Sequence, residues 1–337
     1  MNDATAPTLI ETGPATESFR DDVLHGLRQA QKTLPSKYLY DRRGSLLFDQ
    51  ICELDEYYPT RTELAITQKH AAEIAAMLGP NCLLIEYGSG SSLKTRLLLD
   101  HLEDAAGYVP VDISREHLLA AAKSLSKSYP DLEIIPVCAD FTGPFEIPDP
   151  RRPAARRVIY FPGSTIGNFT RRQAAELLAN MAETAAPEAA VSNQCDSLAT
   201  RSGGVLIGVD LKKDATTLER AYNDSPGVTA AFNLNVLHRI NRQLDADFAI
   251  DAFEHEARYE PRLGRMEMHL VSRKDQSVEI GGEMIQFERG ETIHTENSHK
   301  YSLDDFREMA SKAGLKVEKI WLDDQKLFSV QYLSRAC

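Results

Sequence analysis

The sequence predicts an α/β protein: a doubly wound, Rossmann-like parallel sheet with a second, α+β domain inserted into it. Three observations carry that prediction. From residue 82 onward, short apolar runs alternate with amphipathic helical segments, the pattern of parallel strands joined by crossover helices. After Asp210 the alternation stops, and it resumes near the C-terminus as one helix followed by an antiparallel strand pair, so a separate segment interrupts the sheet domain. The length of 337 residues is also enough for about two domains. The expected division gives residues 61–211 and 300–337 to the sheet domain and residues 18–60 and 212–299 to the second domain. Residues 1–17 are read as a loose tail.

Taken in order, Phe19, Val23, Leu24 and Leu27 recur at helical spacing. The aromatic stretch Tyr38-Leu39-Tyr40-Asp41-Arg42-Arg43-Gly44-Ser45 follows, then a short helix over 46–54, broken by Glu56-Tyr57-Tyr58-Pro59. Thr60 and Glu63 have the spacing of a capping box, which predicts a helix from there to Leu78, stopped by Gly79-Pro80. Cys82-Leu83-Leu84-Ile85-Glu86 reads as a strand buried on both faces. Helix 93–102, strand 108–111, helix 115–127 and strand 132–138 come next, then strand 157–161, helix 171–186 and strand 205–209. Residues 187–202 are small and polar and read as a surface loop. A single helical stretch is expected over 218–242, followed by β-rich segments such as residues 265–271. Ser302 should cap a helix ending at Gly314, and residues 316–322 and 326–333 should pair antiparallel.

Composition narrows the function. Hydrophobic residues make up 42% and charged residues 26%, as in soluble globular proteins. The formal charge of −12 repels phosphate backbones, so no nucleic-acid partner is expected. No apolar run approaches the ~20 residues of a spanning helix, so no membrane role is expected. The cysteines (Cys52, Cys82, Cys138, Cys195, Cys337) are odd in number and never paired as CxxC, which excludes a disulfide framework and a zinc or redox motif of that kind. The nine histidines form no HExxH or HxH, so no metal is expected. The N-terminus shows no basic n-region or apolar h-region. A cytoplasmic, reducing compartment, small-molecule partners and a monomeric state are the expectation.

The chemistry concentrates at the strand ends. Glu86-Tyr87-Gly88-Ser89-Gly90-Ser91-Ser92 sits between a strand and a helix, where glycines let the backbone turn tightly and a ligand approach. Asp112 ends the next strand, about 20 residues beyond Gly90, where an acid receives ribose hydroxyls. Asp140 ends the third strand and is followed by Phe141, a natural adenine clamp. The third glycine of the dinucleotide fingerprint is replaced by Leu93. A cofactor without pyrophosphate does not need that glycine, and acids at three strand ends (Glu86, Asp112, Asp140) suit a ligand with donors and no phosphate. S-adenosylmethionine is the better reading and NAD the alternative.

Several longer motifs resemble one family. They are Ser36-Lys37-Tyr38-Leu39-Tyr40-Asp41, Glu56-Tyr57-Tyr58-Pro59-Thr60-Arg61-Thr62-Glu63, Gly88-Ser89-Gly90-Ser91, Gly163-Ser164-Thr165-Ile166-Gly167-Asn168, Gly227-Val228-Thr229-Ala230-Ala231-Phe232-Asn233, Asp251-Ala252-Phe253-Glu254-His255 and Thr295-Glu296-Asn297-Ser298. Over residues 18–335 the chain is similar to the histidine Nα-methyltransferases of ergothioneine biosynthesis. The resemblance implies a class I methyltransferase sheet with an inserted substrate-binding domain. It implies transfer of three methyl groups in turn from S-adenosylmethionine to the α-amino nitrogen of L-histidine, giving hercynine. By the same resemblance Tyr40, Gly88, Lys94, Asp112, Asp140 and Phe141 contact the cofactor. Gly163, Asn168 and Tyr222 hold the substrate's amino and carboxylate groups, and Tyr57, Glu296 and Ser298 grip the imidazole beside Met268. Tyr40 and Asn168 are the candidates for orienting the reacting amine.

These residue types fit that chemistry. A carboxylate at Glu296 would pair with an imidazole N–H and reject side chains that leave it unpartnered. The amide of Asn168 can donate to a carboxylate and accept from an ammonium. Taken singly, Tyr57 reads as hinge packing, Glu296 as a solvated face, Asn168 as a turn residue and Met268 as core; it is their joint arrival in ordered motifs that favours a site. Three features depart from the bacterial pattern: the long 187–202 segment, Asn297 in place of an apolar residue, and Tyr301 in place of Phe. Related fungal enzymes methylate the amine of a tryptophan derivative, so that acceptor stands as an alternative, beside an NAD-dependent oxidoreductase and a non-catalytic S-adenosylmethionine-binding protein.

Overall fold

A computed structural model describes residues 9–11, 16–90, 93–186 and 203–336. The chain divides into two compact units: Met1–Gly13 with Pro59–Lys212 and Lys300–Cys337, and Pro14–Tyr58 with Lys213–His299. The sheet of the first unit runs, in spatial order, Ile10–Glu11, Val137–Cys138, Gly107–Asp112, Cys82–Tyr87, Arg156–Phe161, Gly204–Asp210, Phe328–Arg335 and Leu315–Leu322. The pairings from Ile10–Glu11 to Gly204–Asp210 are parallel, and those that add the last two strands are antiparallel. From Cys82–Tyr87 the chain steps outward to Gly107–Asp112, then returns to Arg156–Phe161 on the other side. Such a reversal leaves a crevice at the carboxyl ends of the strands, where open α/β sheets bind ligands.

Apolar runs are continuous here because helices cover both faces. Leu83, Ile85, Val109, Ile159, Phe161, Val205 and Ile207 pack in one core with side chains of helices Arg171–Thr184 and Leu303–Lys312. The alternate residues Leu84, Tyr108, Val158, Tyr160 and Leu206 pack with helices Tyr58–Leu78, Leu93–Leu99 and Arg115–Ser128. Ser302 and Asp305 form the expected helix cap, and Gly314 at φ +76° ends that helix region. Beside it, the Lys300 ammonium meets Asp210 Oδ2 at 2.6 Å, the two side chains being 1% and 0% exposed. Tyr301 N–H donates to Asp210 O and Lys212 N–H to Tyr301 O, so the returning chain is bonded to the end of strand Gly204–Asp210.

The second unit carries a four-stranded sheet, in order Lys32–Thr33, Thr292–His299, Arg265–Ser272, Phe253–Glu260, and a separate hairpin of Gln276–Ile280 with Glu283–Phe287. Gly281 and Gly282, at φ +54° and +87°, make the two-residue hairpin turn that only residues tolerant of positive φ allow. Helices Thr16–Leu27, Arg42–Glu53, Ala215–Tyr222 and Val228–Leu244 complete it.

Four local expectations are corrected. The helix expected from Thr60 begins at Tyr58, so Thr60 lies inside it and Glu63 is not a capping residue. The helix expected over 46–54 begins at Arg42, because Asp41 Oδ1 accepts from Gly44 N–H at 2.8 Å. The stretch 218–242 is two helices, broken at Pro226-Gly227. The Asp224 carboxylate caps the second by accepting from the N–H groups of Val228 and Thr229 at 2.7 and 2.8 Å. The strand expected over 132–138 shrinks to Val137–Cys138 with a single bridge from Ile134 to Tyr108, since Pro136 has no N–H to donate. The 187–202 segment, Ser91, Ser92 and most of the tail lie outside the described residues. Among the described helices none is long and apolar enough to cross a membrane.

Candidate active site

In the first unit the glycine turn follows the central strand. Gly88 and Gly90 sit at φ +71° and +46°, and among the described residues nothing beyond its chain neighbours lies within 4 Å of where a Cβ on Gly90 would stand. Gly88 N–H donates to Val111 O at 2.8 Å, and Gly90 N–H donates to Asp112 Oδ2 at 3.3 Å, while Asp112 Oδ1 accepts from Ser114 N–H at 2.8 Å. Burial raises the Asp112 carboxyl above its ordinary range, with those N–H groups pulling the other way. Asp140 Oδ1 accepts from Thr142 N–H at 3.0 Å, and the Phe141 ring stacks on Tyr87 at 5.4 Å. The hydroxyl of Ser89 is buried with no hydrogen-bond partner among the described residues. An orphaned hydroxyl, a turn open at Gly90 and an acid at the next strand end fit a nucleoside ligand with a ribose diol and no phosphate.

After the neighbouring strand, Gly163 turns at φ +77° and opens the 3-10 helix Thr165–Asn168. Its N–H donates to both oxygens of Glu63, at 3.1 and 2.9 Å, and Lys94 Nζ donates to the same carboxylate. Glu63 is 1% exposed. The residue whose spacing suggests a helix cap thus ties two predicted site residues, Lys94 and Gly163, to one carboxylate. Nothing local in the sequence reveals it, because its partner N–H lies about 100 positions away.

Glu86 is corrected as a ligand-facing acid. It is 2% exposed inside strand Cys82–Tyr87, and its carboxyl accepts from Thr95 and Tyr108 hydroxyls. Burial pushes it up from 4.5 to about 8, the two hydroxyls offsetting part of the effect. A carboxyl raised in the folded state favours folding fully below its unfolded value near 4.5, and that contribution fades as pH rises through about 8. The Glu86→Gln variant is therefore expected to lose a few kcal/mol less stability than the parent between pH 5 and 9. Urea denaturation across that range reads the difference, and parallel pH profiles would sink it.

In the second unit, cross-strand register collects the other predicted residues. Glu296 pairs with Met268 and Ser298 with Met266, so these side chains share one face of the sheet. Asn297 pairs with Glu267 on the opposite face, which accounts for a polar residue there. Tyr222 OH donates to Ser298 Oγ at 2.7 Å, and the Tyr57 ring meets Tyr222 edge-on at 6.1 Å. Glu296 and Ser298 are 8% and 6% exposed. Burial holds the Tyr57 hydroxyl well above the usual tyrosine range, with Tyr222 and Glu296 adding to it, so it stays a neutral donor. Tyr40 packs edge-on against Phe48 and Phe232 at 5.5 and 5.3 Å. The structure thus brings Tyr57, Tyr222, Met268, Glu296 and Ser298 together in this unit, where Tyr40 also lies; Gly88, Lys94, Asp112, Asp140, Phe141, Gly163 and Asn168 belong to the first. Among the described residues no cluster of histidine, cysteine or acid could hold a metal.

A parallel sheet closed by an antiparallel strand pair, with a two-glycine turn and an acid at the next strand end, defines a class I methyltransferase fold. The chain belongs to the histidine-specific, S-adenosylmethionine-dependent methyltransferase family, which it matches over residues 19–335. It is 43% identical over 315 residues to the histidine N-alpha-methyltransferase of Mycolicibacterium smegmatis, covering 92% of each chain. It is 40% identical over 324 residues to the protein of that name from Mycobacterium tuberculosis, covering 94% of this chain and 95% of that one. Ergothioneine biosynthesis protein 1 of Neurospora crassa is 30% identical over 305 residues, which are 87% of this chain and 32% of the fungal protein.

Proposed function

We propose that this enzyme transfers methyl groups from S-adenosylmethionine to the α-amino nitrogen of L-histidine, through the mono- and dimethyl forms to hercynine, a step towards ergothioneine. The observation that carries the reading is the shared face of Glu296, Ser298 and Met268, with Tyr222 bonded to Ser298. A buried carboxylate and a hydroxyl set on a thioether floor match an imidazole, whose two nitrogens need polar partners and whose carbons do not. In this reading the first unit is the S-adenosylmethionine-binding domain and the second the substrate-binding domain.

When bound, the donor supplies an electrophilic methyl on a sulfonium. The acceptor amine must be neutral: its lone pair forms the N–C bond as the C–S bond breaks, and one proton leaves per transfer. Positioning and desolvation therefore matter more than covalent machinery. Gly88, Lys94, Asp112, Asp140 and Phe141 hold the donor, with Asp112 accepting from its ribose and Phe141 flanking its adenine. Asn168, Gly163 and Tyr222 hold the amino acid's carboxylate and amine, Tyr57, Glu296 and Ser298 grip the imidazole beside Met268, and Tyr40 is assigned to the donor and to orienting the amine. The enzyme works as a cytoplasmic monomer on small molecules alone.

The test is a mass-spectrometric methylation assay offering L-histidine, its mono- and dimethyl forms and L-tryptophan side by side. Trimethylated histidine with little tryptophan product is expected. Product from tryptophan alone would move the acceptor to the indole class, and nicotinamide-dependent hydride transfer would overturn the reaction type.

A further inference from the structure

Three of the quoted motifs contribute residues that the site described above does not use: Asn233, His255 and Thr295. All three lie in the second unit, and their side chains are bonded in series. Asn233 is fully buried at 0% exposure. Its Nδ2 donates to the main-chain oxygen of His269 at 3.0 Å and lies 2.9 Å from His255 Nδ1, and its Oδ1 accepts from Thr295 Oγ1 at 2.6 Å. A carbonyl only accepts, so the His269 oxygen dictates which way the amide points. The second Nδ2 hydrogen then makes His255 Nδ1 an acceptor. The His255 ring carries its proton on Nε2, which donates to Tyr222 O at 2.9 Å. Burial holds the imidazole pKa below its usual value, in keeping with that neutral form.

Thr295 is the irregular residue of its strand. The register against Arg265–Ser272 shifts between His294 and Glu296, so Thr295 is extra on its side of the ladder. A bulge of this kind re-aims the residue after it, and slipping it by one position would turn Glu296 and Ser298 to the other face. A bulged residue lacks a ladder partner to hold it, so side-chain bonds must do so. Thr295 Oγ1 supplies one by donating its single proton to Asn233 Oδ1 at 2.6 Å, with Met268 O at 3.1 Å as the weaker, competing acceptor. The Tyr222–Ser298 hydrogen bond closes the circuit.

We propose that Asn233 and His255 are positioning residues for the acceptor's side chain: they pin the Thr295 bulge, and through it Glu296 and Ser298, against Tyr222. The proposal rests on the reading of Glu296 and Ser298 as imidazole-binding groups. Neither Asn233 nor His255 need touch the substrate, so their effect is on acceptor affinity and not on the methyl donor.

The experiment compares Asn233→Leu, His255→Leu, His255→Gln, Glu296→Ala and the Asn233→Leu/Glu296→Ala double variant, using steady-state kinetics in L-histidine and calorimetric S-adenosylmethionine binding. Asn233→Leu and His255→Leu are expected to raise the KM for L-histidine by about tenfold or more, with donor affinity within about twofold. His255→Gln is expected to stay within about threefold of the parent, because its amide accepts from Asn233 and donates to Tyr222 O as the imidazole does. The double variant should lose clearly less than the product of the two single losses, since the carboxylate that Asn233 places is already gone and only its effect through Ser298 remains. An unchanged KM in Asn233→Leu, a Gln variant as damaged as the Leu variant, or losses that multiply in the double would each overturn the proposal. Should Asn233→Leu not fold, the two His255 variants decide it, their half-buried site being more forgiving. A silent Glu296→Ala would instead bring down the pocket reading beneath it, and the proposal with it.

Discussion

Replacing Glu296 by Ala is expected to raise the KM for L-histidine by about 30- to 150-fold while S-adenosylmethionine binds as before. A hydrogen bond to a charged partner in a buried site contributes about 2–3 kcal/mol, and each 1.4 kcal/mol is a tenfold change in affinity. Glu296 is 8% exposed, so little solvent competes for its oxygens once an imidazole enters. Apart from Tyr40, the residues proposed to hold the donor belong to a different unit, so donor affinity is the internal control. Glu296→Gln keeps the shape and one acceptor but loses the charge, and should fall between parent and Ala variant. Calorimetry with each ligand separately reads both quantities. Equal weakening of the two ligands would mean that Glu296 supports the fold of its sheet and that the acceptor pocket lies elsewhere.

The parts of this molecule that are legible in its sequence are those fixed by near neighbours. Residues 82–86, 157–161 and 205–209 read as strands because both faces of each are apolar, and each is a parallel strand of the sheet. Ser302 reads as a cap because its partner, Asp305, is three residues away. The misreadings occur where a distant group takes a side chain for other use. Glu63 has the spacing of a cap but accepts from Gly163. Glu86 looks like a strand-end acid, but Tyr108 on the adjacent strand and Thr95 in the next helix turn it into the core. The misreading over 218–242 is of another kind: the helical period is real on both sides of a local break, where Pro226-Gly227 interrupts the chain and Asp224 caps the second helix. For the site, the shared face of Met268, Glu296 and Ser298 follows from a register that includes the shift at Thr295, which no single-strand pattern reveals. Asn233 and His255 stand inside quoted motifs, yet only their meeting in space gives them a role.

Glu63 carries the second large effect. Removing its carboxylate with Glu63→Ala leaves the Lys94 ammonium and the Gly163 N–H without their shared partner in a place where Glu63 itself is 1% exposed. Breaking one side of a buried pair costs about 3–5 kcal/mol, because the remaining charge stays out of water. A urea midpoint well below that of the parent is therefore expected. If Lys94 and the Gly163 turn serve donor and acceptor as proposed, kcat/KM falls by more than the loss of folded protein explains. Glu63→Gln separates the two parts: its amide oxygen still accepts from Gly163 N–H, while the charge opposite Lys94 is gone, so turnover should survive better than donor affinity. A third variant reaches the same carboxylate from the far side. A Cβ on Gly208 would stand 2.0 Å from Glu63 Oε1, so Gly208→Ala must push the carboxylate off its two partners without removing it. Gly208→Ala should then reproduce the functional loss of Glu63→Ala with less of its instability, since the charge remains near Lys94. If Gly208→Ala binds donor and turns over as the parent does, the exact seat of the carboxylate is immaterial and Glu63 stabilises the sheet domain without positioning its ligands.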